Sequence, residues 1–324
     1  MNEQTVASLS RLAAQAARRY AEGRNARLAL LCQSENATFV LEDQGRRYAL
    51  RLHRTGYHQR ADIESELAWL AALHEAGFDV PQAVPGIDGA LVQTIPAEEE
   101  GGEPRHAVLF HWIEGDMPTD TVDPHTFEQL GMLTARLHQH SRHWQTPAGF
   151  QRIIWNHQTM VGEDGHWGRW QDAPHLDTRD HGAFEQALQR IAAGLAVYGQ
   201  DRSRYGLIHA DLRLTNLLLH RGTIRLIDFD DCGFSWYLHD LAAALSFLEH
   251  HPNVPRWVEH WLRGYERHAH LDQEDLSIIP TLIIQRRIQL VAWAGSHQGT
   301  EQANSLGAEW MRHSVRLCRE YLET

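Results

Sequence analysis

The stretch IHADLRLTN occupies residues 208–216, and the stretch IRLIDFDD follows at residues 224–231. Residues 216–219 and 224–227 are strand-like runs, and the Arg-Gly pair at 221–222 between them favours a tight turn. The two runs therefore predict a β-hairpin. Its position is unusual, because the chain on both sides has the apolar spacing of helices.

Three polar side chains lie at the ends of this hairpin. Asp211 precedes the first strand, Asn216 begins it, and Asp228 directly follows the second strand. Close pairing of the strands would return all three to one edge. Phosphoryl transfer requires a carboxylate that orients the attacking hydroxyl and oxygen ligands that hold Mg²⁺ against nucleotide phosphates. Asp and Asn also favour turns, so each residue alone can be structural, but the order and spacing of all three favour chemistry.

The pattern HxDxxxxN, followed by an apolar strand and IDFDD, resembles the aminoglycoside phosphotransferase and homoserine kinase type II superfamily, which shares the protein-kinase fold. The resemblance implies ATP and Mg²⁺ as cofactors and a catalytic role for Asp211. It implies that Asn216 and Asp228 bind the metal, and that Arg213 stands where protein kinases carry a lysine that contacts the transferred phosphate. Asp240, in the segment WYLHDL, would brace the backbone of the catalytic loop.

The two halves of the chain differ in their apolar periodicity. Before residue 114 the pattern predicts helices at 3–22 and 60–76 and strands at 28–32, 38–42, 47–53, 90–94 and 107–112. After it, the pattern predicts helices at 124–143, 182–198, 238–249, 256–270 and 273–295. With the resemblance, this predicts an α+β, two-lobed protein-kinase-like fold. Residues 1–113 would form a small antiparallel β-sheet lobe that binds nucleotide and ends in the hinge, and residues 114–324 a larger, mostly helical lobe with the catalytic loop and the acceptor site.

Arg51 and Glu66 are charged residues that the first lobe places among apolar neighbours. Arg51 alternates with apolar residues in the strand YALRLH, and Glu66 lies within the apolar stripe of the helix at 60–76. A carboxylate in that position needs a cation. The pair would reproduce the strand cation and helix glutamate that position nucleotide phosphates in kinases, although kinases normally use lysine there.

Four further residues are candidates for nucleotide binding by their place in the sequence. The turn QSENAT at 33–38 stands where protein kinases have a glycine-rich loop, but it has no glycine. Ser34 and Asn36 would contact phosphates there, or the segment is an ordinary hairpin turn. The segment FHWIEG resembles the interlobe hinge, where the backbone of Trp112 and Ile113 would bind adenine. No GxxxxGKS or GxxxxGKT motif occurs, so a P-loop kinase is not supported.

Composition limits the partners and the cellular context. The 324 residues include 42 acidic and 30 basic side chains, a net charge of −12, which opposes binding to nucleic acid or to an anionic membrane and favours a cationic substrate. No apolar run reaches the ~20 residues of a membrane span, and the N-terminal segment lacks the apolar centre of a signal peptide. We expect a cytoplasmic protein. Its 23 histidines are expected at the surface rather than in a metal site.

These observations predict a kinase that moves the γ-phosphate of ATP to a hydroxyl of a small molecule, such as an amino alcohol, an amino acid or an aminated antibiotic. The alternatives are a serine/threonine protein kinase of the stress-response type and a nucleotide-binding pseudokinase. The segment after Asp228 is too short for the activation segment of a protein kinase, and no APE motif follows. Asp230 and Asp231 are candidates for attracting an ammonium group, and Trp167 and Trp170 for lining the acceptor pocket.

Overall fold

The computed structural model describes residues 3–33, 35–97, 102–118 and 123–324. The chain divides into two compact units. The N-terminal unit consists of Met1–Gly115 and Gln145–Arg152, and the C-terminal unit consists of Asp116–Trp144 and Ile153–Thr324.

The N-terminal unit is an antiparallel sheet with two helices. The helices are α1 (Glu3–Ala17) and α2 (Arg60–Glu75), and the strands are β1 (Arg27–Gln33), β2 (Ala37–Asp43), β3 (Arg46–Leu52), β4 (Ala83–Val84), β5 (Val92–Ile95) and β6 (Arg105–His111). The strand order is β1-β2-β3-β6-β4, and β5 also pairs with β6. Every pairing is antiparallel, as the sequence predicts, and of these strands only the two-residue β4 is missing from the prediction.

Alternation along the strands gives this sheet its buried face. Phe39 and Leu41 on β2, and Leu50 and Leu52 on β3, are almost completely buried, because residues two apart point to the same side of a strand. They form one apolar cluster with residues of α1, namely Leu9, Leu12, Ala13 and Ala16. Each large apolar side chain buried there contributes roughly 1.5–3 kcal/mol, and this burial holds α1 on the sheet.

The C-terminal unit is mostly helical. Its helices are α3 (Pro124–His143), α4 (His157–Val161), α5 (His181–Tyr198), α6 (His239–Ala244), α7 (Val254–Tyr265), α8 (Gln273–Ser296), α9 (Glu301–Ser305) and α10 (Ala308–Glu323). Its strands are β7 (Ile153–Ile154), β8 (Tyr205–Ile208), β9 (Leu217–His220), β10 (Thr223–Leu226) and β11 (Gly233–Trp236). The predicted hairpin is β9-β10, and the other strands form a sheet in the order β7-β11-β8. An antiparallel sheet unit and a mostly helical unit confirm the predicted α+β class.

The starts of α3 and α8 follow signals in the sequence. Asp123 accepts a hydrogen bond from His125 N at 3.0 Å, and Pro124 occupies the first turn of α3, where a backbone N–H would have no intrahelical partner. Asp272 and Asp275 form a capping box at the start of α8. Both helices begin at the predicted residues.

The helix predicted at 238–249 is shorter than expected. It ends at Ala244, and Phe247 adopts a φ of 70°, a left-handed conformation that a continuing helix does not contain. The sequence predicts one helix because Leu241, Leu245 and Leu248 have helical spacing. A series of turns follows α6 instead.

The expectation that the histidines lie mostly at the surface is wrong for several of them. His138, His209 and His239 are fully buried, and His53 and His58 are nearly so. His138 and His209 are hydrogen-bonded to other residues of the chain, which offsets the cost of burying an imidazole. The described residues contain no cluster of three or more His, Cys, Asp or Glu side chains suited to a metal ion.

The longest helix, α8, is buried along most of its length. Arg286 and Arg287 lie in its middle and are at most 1% exposed. Within the part of the chain that the structure describes, no helix is long and apolar enough to cross a membrane.

Candidate active site

The loop at residues 209–213 connects β8 to the β9-β10 hairpin. Ala210 adopts a φ of 68°, a left-handed conformation that is uncommon for a residue with a Cβ atom. Asp240, in the first turn of α6, holds this loop: its Oδ1 accepts a hydrogen bond from Ala210 N at 2.8 Å, and its Oδ2 accepts one from His209 N at 3.2 Å. The predicted role of Asp240 as a brace of the loop backbone is confirmed.

The carboxylate of Asp240 is itself held by buried side chains. His138 on α3 donates from Nε2 to Asp240 Oδ2 at 3.0 Å, and its Nδ1 lies 2.9 Å from the hydroxyl of Tyr265. Burial alone would raise the pKa of Asp240, but hydrogen bonds from His138 and the loop amides lower it overall. Burial lowers the pKa of His138. The pair is therefore a neutral imidazole hydrogen-bonded to an ionised carboxylate, with the Tyr265 hydroxyl donating to Nδ1.

Both carboxylate oxygens of Asp211 accept hydrogen bonds from side chains. Asn216 Nδ2 donates to Oδ2 at 2.7 Å, and Arg286 Nη2 donates to Oδ1 at 2.5 Å. Arg213 Nε lies 3.2 Å from Oδ2 and brings a second positive charge. Burial would raise the pKa of Asp211, but Arg213 and Arg286 lower it overall. Asp211 is therefore ionised at neutral pH and able to accept a hydrogen bond from a hydroxyl.

The two predicted metal ligands, Asn216 and Asp228, are brought close through the backbone. Ile227 N donates to Asn216 O at 3.0 Å, and Asp228 follows with a φ of 62°. The amide nitrogen of Asn216 donates to both O and Oδ2 of Asp211, so its Oδ1 is the atom that can coordinate a cation. An amide oxygen and a carboxylate fit Mg²⁺, which is commonly held by one or two protein oxygens with phosphates and water completing the octahedron.

Sequence reasoning missed Arg286 as a site residue. A signal existed, because Arg286 and Arg287 are adjacent cations in the largely apolar middle of α8, where only Gln285 and Gln289 are also polar, and buried cations require partners. The sequence does not identify those partners, since Asp211 lies 75 positions away in the chain. Gln302 on α9 was also missed. It accepts a hydrogen bond from Arg213 Nη1 at 3.0 Å, and nothing in its sequence surroundings indicates this.

The two candidate acceptor-pocket tryptophans have different surroundings. The guanidinium of Arg286 lies 5.0 Å from the centre of the Trp167 ring, so Trp167 supports a residue that contacts Asp211. Trp170 stacks on Phe184 of α5 with the ring centres 5.1 Å apart, and both are buried. Trp170 therefore packs in the core beside α5, and its candidate role in the acceptor pocket stays a prediction.

In the N-terminal unit, Arg51 and Glu66 form the predicted ion pair. Arg51 Nη2 donates to both carboxylate oxygens of Glu66 at 2.7 Å, and both side chains are buried. The guanidinium also lies 5.0 Å from the centre of the Phe110 ring on β6. The pairing is confirmed, and its role in holding nucleotide phosphates stays a prediction.

The remaining candidates for nucleotide binding lie at a hairpin turn and at a strand end. Ser34 lies outside the described residues. Asn36 Oδ1 accepts a hydrogen bond from Arg54 N at 3.0 Å. Trp112 and Ile113 follow the end of β6. The nucleotide roles of these residues stay predictions.

The profile of the phosphotransferase enzyme family matches residues 31–276. The chain belongs to this family. A solved structure of a microcompartment-associated aminopropanol kinase is 40% identical to the chain, with a TM-score of 0.89 over 97% of this chain and 98% of that one. Amicoumacin kinase of Bacillus subtilis (strain 168) is 25% identical over 85% of this chain and 81% of that protein. A structure of an amicoumacin kinase with AMP-PNP and Ca²⁺ is 23% identical, with a TM-score of 0.77 over 99% of this chain and 93% of that one.

Membership in this family confirms the predicted enzyme class. The chain is a kinase, a phosphotransferase of small molecules, and its two units are those of the kinase-like fold implied by the resemblance. The predicted cofactors, ATP and a divalent cation, agree with kinases of this family.

Proposed function

We propose that this phosphotransferase depends on ATP and Mg²⁺ and phosphorylates the hydroxyl of a small amino alcohol. The observation that carries the proposal is the setting of Asp211, a buried but ionised carboxylate whose two oxygens are held by Asn216 and Arg286. The similarity to an aminopropanol kinase over nearly the whole chain supports an amino alcohol as the acceptor class.

Each polar residue of the loop and hairpin has a separate task in this proposal. Asp211 accepts a hydrogen bond from the acceptor hydroxyl and directs its oxygen toward the γ-phosphorus. Asp211 receives the proton as the new O–P bond forms and the bond between the γ-phosphorus and the β-phosphate oxygen breaks, releasing ADP. Arg213 lies beside Asp211 and neutralises charge on the transferred phosphoryl group. Asn216 Oδ1 and the Asp228 carboxylate would hold Mg²⁺, which would supply positive charge next to the phosphate oxygens.

The nucleotide contacts are proposed for the N-terminal unit. Arg51, fixed by Glu66, binds nucleotide phosphates through its guanidinium, which suits paired phosphate oxygens better than a lysine ammonium does. Asn36 contributes from the turn between β1 and β2. The backbone of Trp112 and Ile113 binds the adenine base.

An ammonium group on the acceptor suits the charge of this chain. The net charge is −12, and Asp230 and Asp231 follow Asp228 by two and three positions. A local field of one sign raises the concentration of a cationic ligand near the site. Strand β11 begins at Gly233 and pairs with β8. The segment between the metal-binding aspartate and α6 is thus occupied by a paired strand, which favours a small acceptor over a protein.

One observation favours a pseudokinase, namely the arginine at position 51. Arginine and lysine are not equivalent, and Arg51 already contacts both oxygens of Glu66. Nucleotide binding alone, however, does not require a carboxylate that Arg213 and Arg286 keep charged and that faces the hydroxyl of an acceptor. The setting of Asp211 therefore favours turnover.

An acceptor screen tests the proposed function. The protein would be incubated with ATP and Mg²⁺ and with a panel of aminopropanols, ethanolamine, homoserine, aminated antibiotics, uncharged diols and generic proteins. We expect ADP release and an O-phosphorylated amino alcohol that is detectable by phosphorus NMR. Phosphorylation of generic proteins alone, or no turnover with any compound, would contradict the proposal.

A further inference from the structure

Arg286 reaches the catalytic loop from a distant element. Its Nη2 donates to Asp211 Oδ1 at 2.5 Å, and its Nη1 donates to Ala210 O at 3.4 Å. The two contacts fall on consecutive residues of the loop, one on a side chain and one on the backbone. The guanidinium comes from the middle of α8, so a long buried helix sets the position of the loop carboxylate.

The guanidinium of Arg286 is fixed on its other sides as well. Its Nε donates to Ser246 Oγ at 2.9 Å, and its Nη1 donates to Gln289 Oε1 at 3.2 Å. The ring of Trp167 lies against it with 5.0 Å between the guanidinium carbon and the ring centre. A planar fork held at Nε, Nη1 and Nη2 has one orientation, so the carboxylate that it binds also has one.

We propose that Arg286 is a positioning residue for phosphoryl transfer: by holding Asp211 Oδ1 and the loop backbone at Ala210 O, it keeps the Asp211 carboxylate turned toward the acceptor hydroxyl. An ionised carboxylate has about four lone-pair sites. Arg286 fills one on Oδ1 and Asn216 fills one on Oδ2, where Arg213 Nε also lies 3.2 Å away, so Oδ1 retains a lone pair for the acceptor hydroxyl. The inference rests on the proposed function, because it assigns Arg286 to the reaction that Asp211 assists.

The adjacent residue Arg287 provides a matched control. It is equally buried in α8, donates to Glu249 Oε2 at 2.5 Å and to Ser314 Oγ at 2.8 Å, and lies 3.8 Å from the centre of the Trp310 ring. Its contacts thus resemble those of Arg286, but none of these partners belongs to the loop at 209–213. Substitution of Arg287 measures the effect of losing a buried ion pair from α8.

The first experiment measures how firmly Arg286 holds the loop at 209–213, without using activity. Hydrogen exchange of the loop's backbone amides would be followed by NMR in the wild type, R286M, R286K and R287M. We expect R286M to speed the exchange of these amides roughly tenfold or more, because the loop loses its contacts at Ala210 O and Asp211 Oδ1. R286K should give an intermediate exchange rate, and R287M should leave the rate at the wild-type value.

The second experiment uses the acceptor that the wild type phosphorylates and follows kcat and KM. We expect R286M to lower kcat roughly 10- to 100-fold with the KM for ATP unchanged, since misplacement of an orienting group by about 1 Å can cost that much. R286K should recover kcat only in part, because an ammonium cannot hold two loop positions as a fork does.

Two results would overturn the inference: wild-type amide exchange and wild-type kcat in R286M, or the same changes in R287M as in R286M. If R286M does not fold, the comparison of R286K with R287K decides, because only R286K should lower kcat. A wild type that phosphorylates no amino alcohol would overturn the proposed function instead. The amide-exchange measurement does not depend on the acceptor, so the two failures are distinguishable.

Discussion

Asp211 is a buried acid that stays charged. Removal from water favours its protonated form, and the two neighbouring arginines outweigh that effect and lower its pKa overall. A carboxylate with a low pKa is a weak base, so its contribution lies in orienting the hydroxyl before the proton moves. The loose transition state of phosphoryl transfer suits that role, because the attacking oxygen needs alignment more than prior deprotonation.

The substitution D211N tests this role. Asparagine keeps the shape of the side chain, but it removes the charge and places an amide N–H toward either Arg286 or Asn216. We expect turnover to fall by roughly two powers of ten or more, while ATP affinity measured by calorimetry stays nearly unchanged. The exposed residue Asp201 provides a control, since D201N should leave both quantities at wild-type values. Normal turnover in D211N would show that another group faces the acceptor.

Asp228 is the charged member of the proposed metal pair. D228A removes the carboxylate that would hold the cation, and Asn216 Oδ1 alone is a weak substitute. We therefore expect D228A to lose the Mg²⁺-dependent thermal stabilisation by ATP. A thermal-shift titration with ATP, with and without Mg²⁺, measures this loss. A shift as large as that of the wild type would place the metal on other residues.

Among the secondary-structure elements, those with local signals were predictable and those that depend on distant pairing were not. The helix α3 and the hairpin β9-β10 follow from apolar spacing, an Asp-Pro start and an Arg-Gly turn, all of which are local signals. Strands β7, β8 and β11 are no longer than β9 and β10, but no tight turn joins them to one another, and they form through tertiary pairing. The contact of Arg286 with Asp211 also depends on tertiary packing, so the sequence indicated the need for a partner but not the partner.

Helix α6 links the loop to a buried network, and D240N tests that link. Asp240 accepts from Ala210 N on Oδ1 and from His209 N and His138 Nε2 on Oδ2. In either orientation, the asparagine amide would place an N–H against another N–H. We expect a loss of roughly 2–4 kcal/mol in the free energy of unfolding, measured by denaturant titration.

The same variant has a pH signature. The folded state lowers the pKa of Asp240 below its ordinary value, so the stabilisation is complete above that ordinary value and is lost as the pH falls through the folded pKa. The wild type should therefore lose stability below about pH 4, and D240N should lose it less steeply. Y265F is the matched control, because it removes one hydrogen bond to His138 but no charge. An unchanged acidic slope in D240N would contradict the assignment.

Across the whole molecule, the polar groups of the proposed chemistry come from many separate elements. In the C-terminal unit they come from the loop at 209–213, the hairpin, α6 and α8, and in the N-terminal unit the pair Arg51–Glu66 joins β3 to α2. Buried ion pairs across elements cost desolvation energy. Their presence in both units is best explained by a need to fix charged side chains in place.

The excess of acidic residues is a property of the entire chain. Its effect on the KM for the acceptor can be separated from the effect of Asp231 alone. We expect D231N to raise the KM for a cationic amino alcohol several-fold while leaving the KM for ATP unchanged, because a nearby carboxylate attracts the ammonium group. Steady-state kinetics with an aminopropanol and with an uncharged diol measure the effect, and the diol should show none.

The exposed residue Glu323 near the end of α10 supplies the matched control for net charge. E323Q changes the total charge by the same amount as D231N, so an equal rise in KM in both variants would assign the effect to the global field. Added salt should distinguish the two cases as well, since a Debye length of about 10 Å at 0.1 M screens distant charges before near ones. An unchanged KM in D231N for every cationic acceptor would show that the ammonium group binds elsewhere.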